Sequence, residues 1–219
     1  WYREIKRQLE SQAIGDRLHS IAFRCRTGDG WQPDAYMARQ PYFREMPKFL
    51  IFETGVHFID TFRYLGGEIE GVYASLRTLN EEIVGEDAGT VLFEFQNGSC
   101  GLWDANRFNE PNASDPRYTF GEALIEGNGG SLRLYCDGRL TLQPLGEPER
   151  ELSYPHEHKN FAGDCVFATQ QHFVNQLRTS APFETDATDY LKTLAVQEAI
   201  YRSAEAGLPV RGLANIATE

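Results

Sequence analysis

Positive charge is scarce in this chain. Its 219 residues carry 21 Lys and Arg against 32 Asp and Glu, a formal net charge of -11 at pH 7, and they include no basic run. A phosphate backbone is therefore not an expected partner, and the balance suits a small neutral or polar ligand. No apolar run approaches the roughly 20 residues a membrane span needs, and no signal peptide is recognisable, so no membrane partner is expected. Cysteine is sparse: Cys25, Cys100, Cys136 and Cys165 lie far apart with no C-x-x-C pair. That spacing supports neither metal nor redox chemistry, and reduced buried thiols in a cytoplasmic protein are the expectation. Methionine is sparser still. The first is Met37, and the chain opens at Trp1 directly in a helical pattern, so a fragment with further sequence upstream is expected. A dinucleotide fingerprint is lacking as well. The cluster Gly127-Asn128-Gly129-Gly130 precedes residues Ser131 to Tyr135 that alternate as a strand does, whereas the fingerprint sits between a strand and a helix. No cofactor is expected to bind this chain alone.

What is present is a hydrophobic fraction of 41%, enough for a core, organised around Phe52 to Gly67, FETGVHFIDTFRYLGG. Glu53, His57, Asp60 and Tyr64 are spaced four, three and four apart, which stacks them in one stripe on a helix. Phe58, Ile59, Phe62 and Leu65 fall on the neighbouring apolar arc. Gly66 and Gly67 supply a stop. A solvated face is the plain reading of such a stripe. The chemical reading is that Glu53 or Asp60 holds one ring nitrogen of His57 and leaves the other free as a base.

Tyr2, Ile5, Leu9 and Ala13 predict an opening helix ended by Gly15. Leu18 to Arg26 alternates as a strand with Ile21, Phe23 and Cys25 on the packed face. Thr27 to Lys48, broken by Gly28, Gly30, Pro33, Pro41 and Pro47, is a long loop rich in Trp31, Tyr36, Arg39, Tyr42, Phe43 and Arg44. Aromatic rings with Arg suit a sugar-like ligand, and the same rings could equally pin the loop to the body. Ile69 to Thr78 reads as a strand. Ala88 to Ala105 reads as a hairpin turning at Asn97-Gly98, with Val91, Phe93, Phe95, Cys100 and Leu102 on one face and Leu92 and Trp103 on the other. Ala123 to Tyr135 is a second hairpin. Asp137-Gly138 makes another tight turn. His156 and His158 in a polar loop could ligate a metal together, but no third ligand is evident and no metal is expected. Two helices follow. Val166, Gln170, Phe173 and Leu177 mark the first, with His172 off that face and solvated. Tyr190, Leu191, Leu194, Ala195 and Ala199 mark the second, ended by Gly207 and Pro209. Consecutive strands with helices at the ends predict an α+β class: one large, mostly antiparallel open sheet with helices on one face.

These segments in this order resemble the C-terminal domain of the glucose–fructose oxidoreductase / inositol dehydrogenase / rhizopine-catabolism (Gfo/Idh/MocA) family. The matching stretches are YREIKRQLESQAIG, ETGVHFIDTFRYLGG, EDAGTVLFEFQNGSCGLWDANR, EGNGGSLRLYCDGRLTL and LKTLAVQEAIYRSAEAGLPV. The resemblance implies that residues 1–219 form a single substrate-binding and oligomerisation domain, with a homodimer or higher homo-oligomer built through the free sheet face. It implies an upstream Rossmann domain that binds NAD or NADP and carries a catalytic Lys in a Glu-Lys-Pro motif. It implies hydride transfer from a sugar or polyol, with His57 as general base and Glu53 or Asp60 holding its tautomer. The family more often has Asp where Glu53 stands. Asn106 and Arg107 would reach the same cleft, and Tyr42 and Arg44 would close it from the loop. The competing class is a non-catalytic carbohydrate-binding or dimerisation module.

Overall fold

The computed structural model describes residues 1–213. Helix α1 (Tyr2–Glu10) leads into strand β1 (Leu18–Arg26). An irregular stretch with a short 3-10 turn, Pro41–Glu45, follows. A π turn, Leu50–Gly55, runs directly into helix α2 (Val56–Gly66). Strands β2 (Ile69–Arg77), β3 (Ala88–Phe95) and β4 (Cys100–Asn106) form one antiparallel meander. Strands β5 (Gly121–Gly127), β6 (Gly130–Leu134), β7 (Leu140–Pro144) and β8 (Arg150–Glu151) form another. Helices α3 (Cys165–Thr179) and α4 (Ala187–Ala206) precede an edge strand, β9 (Val210–Arg211). Strand β1 joins the two meanders, antiparallel to β5 and parallel to β4. The result is a nine-stranded sheet of order β8-β7-β6-β5-β1-β4-β3-β2-β9. The expected mostly antiparallel α+β sheet is found, with one parallel pair at its centre.

Period-two alternation gives the sheet a packed face. Ile21, Phe23, Val72, Val91, Phe93, Trp103 and Ile125 point inward and meet Ile5 of α1, Phe58, Ile59 and Phe62 of α2, and Val196 and Ile200 of α4. Helix α2 lies so close that a side chain on Gly101 would press on the Phe62 ring, 3.0 Å away. All four cysteines are free, and burial pushes the Cys25 thiol up to about 12. Among the described residues no helix is long and apolar enough to cross a membrane.

The first hairpin departs from the sequence reading by one residue. A two-residue Asn97-Gly98 loop would set Phe93 opposite Leu102. Instead the loop has three residues: Phe95 N–H donates to Ser99 O, Gly98 N–H donates to Phe95 O, and Gly98 takes φ +82°. Phe93 therefore faces Gly101, and Val91 faces Trp103. A one-residue slip exchanges the faces of a whole strand. Trp103 is consequently in the core, while Cys100 and Leu102 join Leu92 outside. One row across the outer face now reads Tyr73, Leu92, Leu102, Ala22, Leu124, each directly opposite the next on five neighbouring strands.

Helix α3 also departs from its expected packing, since none of its residues is buried. Phe173 and Leu177, read as packed, are 54% and 59% exposed. Its contacts run to the segment leading into α4: His172 Nε2 accepts from Glu184 N–H at 3.1 Å, Gln176 donates to Pro182 O, and Phe173 stacks on Phe183 at 5.4 Å.

Candidate active-site cleft

The π turn exists because its start is held from outside. One oxygen of the buried Glu86 carboxylate accepts from Phe49 N–H (3.1 Å), Ile51 N–H (3.0 Å) and Tyr201 O–H (2.7 Å). This satisfies donors that a helix start leaves open. A π turn closes its hydrogen bonds over five residues rather than four. The single stripe read for Glu53, His57, Asp60 and Tyr64 therefore breaks between Glu53 and His57.

A cleft of about 1200 Å³ opens beside this turn. Glu53, Thr54, His57, Phe58 and Thr61 form one wall, and Trp1 to Glu4 with Arg7 of α1 form part of another. Thr27, Asp29, Arg39 and Gln40 come from the loop, Arg107 from the end of β4. The far side holds Tyr154, His156, Phe161 and the first turn of α3. The volume exceeds the roughly 300–1,000 Å³ of most small-molecule sites.

His57 is exposed and lines this cleft. The expected acidic partner is a different matter. Glu53 Oε2 accepts from Arg107 Nη1 (2.8 Å) and Thr54 Oγ1 (2.6 Å). Asp60 faces Thr193 Oγ1 (3.3 Å) and Arg63 (3.6 Å). Neither carboxylate pairs with the imidazole. The π turn has swung Glu53 away, and Asp60 leans back toward α4.

Arg107 is the hub of the cleft. Its Nε and Nη2 donate to the two oxygens of Asp29 at 3.2 and 2.5 Å, and Nη1 donates to Glu53 Oε2 and Thr54 Oγ1. The guanidinium lies over Phe49, Tyr36 and Phe43 at 4.9, 5.0 and 5.2 Å, an arrangement attractive for a desolvated cation. Burial opposes charge on both Asp29 and Arg107, yet their pairing prevails. Asp29 is held below the usual carboxylate range and Arg107 above its own.

The other loop residues read as ligand contacts lie elsewhere. Tyr36, Phe43 and Phe49 pack with Ile83 and Met46 as a second small core, so of the two readings of the aromatic loop these rings follow the pinning one. Arg44 ties the loop down through Glu82 and Pro33 O. Trp31 and Tyr42 are exposed outside the cleft, and Asn106 is buried, accepting from Asn109 N–H. Of the five expected substrate contacts only Arg107 lines the cleft. Asp29 and Thr54 went unnoticed in the sequence, because their pairing with Arg107 joins segments 78 and 53 residues apart. His156 does reach the cleft, its Nδ1 3.1 Å from the Tyr118 hydroxyl and its ring stacked on Tyr154. His158 turns instead toward Asp115, 3.7 Å away. No group of three or more metal-ligating side chains occurs among the described residues.

Comparison with known proteins gives a consistent picture. A family model described as the GFO/IDH/MocA C-terminal domain matches residues 2–133. A D-apiose dehydrogenase of Rhizobium rhizogenes is 32% identical over 214 residues, 94% of this chain and 59% of that protein. A D-apiose dehydrogenase of Paraburkholderia graminis is 31% identical over 182 residues, 78% of this chain and 47% of that protein. The chain thus spans about half to three fifths of these curated relatives. An oxidoreductase from Agrobacterium radiobacter, solved with NAD+, L-tartaric acid and magnesium, superposes with a TM-score of 0.83 at 28% identity, covering 98% of this chain and 62% of that one. Levoglucosan dehydrogenase in complex with NADH and levoglucosan shares the fold, with a TM-score of 0.77 at 19% identity over 95% of this chain and 62% of that one.

Proposed function

Because the chain belongs to the GFO/IDH/MocA C-terminal domain family, we propose that it is the substrate-side and oligomerisation domain of an NAD(P)-dependent oxidoreductase acting on a sugar, polyol or related hydroxy compound. The observation that carries this reading is the presence of an open imidazole, His57, and a separate, Arg107-anchored carboxylate, Glu53, on one wall of a cleft larger than a monosaccharide site requires. The named activities of the D-apiose dehydrogenase relatives support the substrate class and the reaction type.

In this reading His57 accepts the proton of the substrate hydroxyl as its carbon is oxidised to a carbonyl. A bound nicotinamide would take the hydride from that carbon. The glycine cluster of this chain does not fit such a cofactor. Gly127 pairs with Gly130 across a β-hairpin, so no strand–glycine loop–helix cradle forms there. In this reading the cofactor is held by a domain outside this chain. The apolar row Tyr73, Leu92, Leu102, Ala22 and Leu124 supports self-association through the outer sheet face.

Three measurements test this. The full-length protein should reduce NAD+ or NADP+ with D-apiose or another sugar or polyol, and a failure across a panel of such compounds refutes the reaction. This chain alone should show no calorimetric binding of NADH or NADPH, and micromolar affinity would contradict the division of labour. In sedimentation the chain should form a dimer or larger species that Leu102→Glu dissociates.

A further inference from the structure

Arg107 lines the cleft but has little left to offer a ligand. Four of its five N–H donors are directed at Asp29, Glu53 and Thr54, and its flat face rests on three aromatic rings. Its side chain is only 9% exposed. Both contacts to Glu53, from Arg107 and from Thr54, end on Oε2. Among the described residues Oε1 has no partner, and Glu53 borders the cleft with its side chain 34% exposed. A carboxylate oxygen opening on a cleft accepts O–H groups and offers no donor in return.

We propose that Asp29 and Arg107 are positioning residues that hold Glu53 by one oxygen, so that Oε1 is presented to the cleft as the acceptor for a hydroxyl of the substrate. The proposal rests on the reading of the cleft as a sugar or polyol site. Asp29 grips the guanidinium in two-point fashion and fixes the plane of the fork. Arg107 then fixes the rotamer of Glu53. The hydroxyl recognised is one beside the reacting carbon, a contact made equally before and during hydride loss. Loss of such a contact raises KM and leaves kcat in place.

The test uses the full-length enzyme with NAD+ and D-apiose. Asp29→Asn and Glu53→Gln are each expected to raise KM about 10–100-fold, the range for a charge-assisted hydrogen bond, with kcat within about threefold. The double variant should be no worse than Glu53→Gln, because both changes remove one contact. KM effects that multiply in the double variant overturn the proposal. So does an Asp29→Asn enzyme that melts earlier but keeps its KM. A crystal structure of Asp29→Asn separates this failure from that of the functional reading. The proposal expects the Arg107 fork turned and Glu53 Oε1 displaced from its present position there, and an Arg107 and Glu53 both left in place refute the positioning even if no sugar is turned over.

Discussion

Two buried guanidiniums meet the site helix, one at each end, and they are used differently. Arg63, near the C-terminal end of α2, donates to Glu68, to Asp189 at 3.0 and 3.2 Å, and to Thr193 at 3.0 Å. It clamps α2 to α4. Lys192 stands beside the same acids, 3.0 Å from Glu68 and 3.3 Å from Asp189. Arg107, at the π turn, also holds two acids, but with aromatic rings behind it and no second cation paired to either acid among the described residues. The first cluster is redundant and faces solvent; the second is singular and faces a cleft. Redundancy suits a clamp, because any one contact can fluctuate. A single anchor suits a site, because it allows one arrangement only.

The largest expected effect lies at the cleft end. His57→Ala in the full-length enzyme should lower turnover by about 10²–10⁴-fold, the range for a general base, with cofactor affinity intact. Near-normal turnover would remove His57 from the chemistry. Next comes stability. Arg107→Met strands Asp29 and Glu53 without a cation and should cost about 2–3 kcal/mol, somewhat below the usual loss for a buried pair because both acids are partly exposed. Arg63→Met leaves Lys192 in place and should cost about 1–2 kcal/mol. Urea unfolding of the two variants measures the difference, and the reverse order would dissolve the contrast between anchor and clamp. The smallest effect is on pH dependence. Asp29, Glu68 and Asp189 are all held below their ordinary range: Arg63 does this at Asp189, and at Asp29 and Glu68 arginine contacts overcome an opposing effect of burial. A depressed carboxyl stabilises the fold above its ordinary value, about 3.9–4.3, and that stability is lost as pH falls through the lower folded value. Thermal melts from pH 6 downward should therefore decline below about pH 4. Asp29→Asn should decline less steeply, and an unchanged slope would mean that Asp29 is not part of the acid response.

What could be read in the sequence was local. The Gly67 stop of α2, with φ +93°, the packed face of β1, and the Asn128-Gly129 hairpin all follow from neighbouring residues. The presence of His57 in a cleft was legible through its motif. The register of β3 and β4 was not, because Asn-Gly serves both two-residue and three-residue loops and the choice moved Trp103 to the other face. The π turn depends on Glu86, more than 30 residues downstream. The aromatic loop was legible as composition but not as placement: Tyr36 and Phe43 cushion Arg107, while Trp31 and Tyr42 face outward. Asp29 carries no local mark at all, since its role is fixed only when β4 brings Arg107 beside it.

Strand β1 has a consequence for the order in which the molecule assembles. It precedes both of its partners in the chain: its neighbours are β4, which ends at Asn106, and β5, which begins at Gly121. On a ribosome one edge stays unsatisfied until about 80 further residues have emerged and the other until about 100, long enough at about 5–20 residues per second for a nascent strand to meet other chains. The β2–β4 and β5–β7 meanders, by contrast, pair strands that follow one another in the chain, so each closes soon after it is made. We therefore expect refolding to be limited by insertion of β1 between two preformed halves, a step of high loop-closure entropy. Pulsed hydrogen exchange should show the amides of Ile21 and Phe23 protected after those of Val91 and Phe93; simultaneous protection would place β1 in the folding nucleus instead.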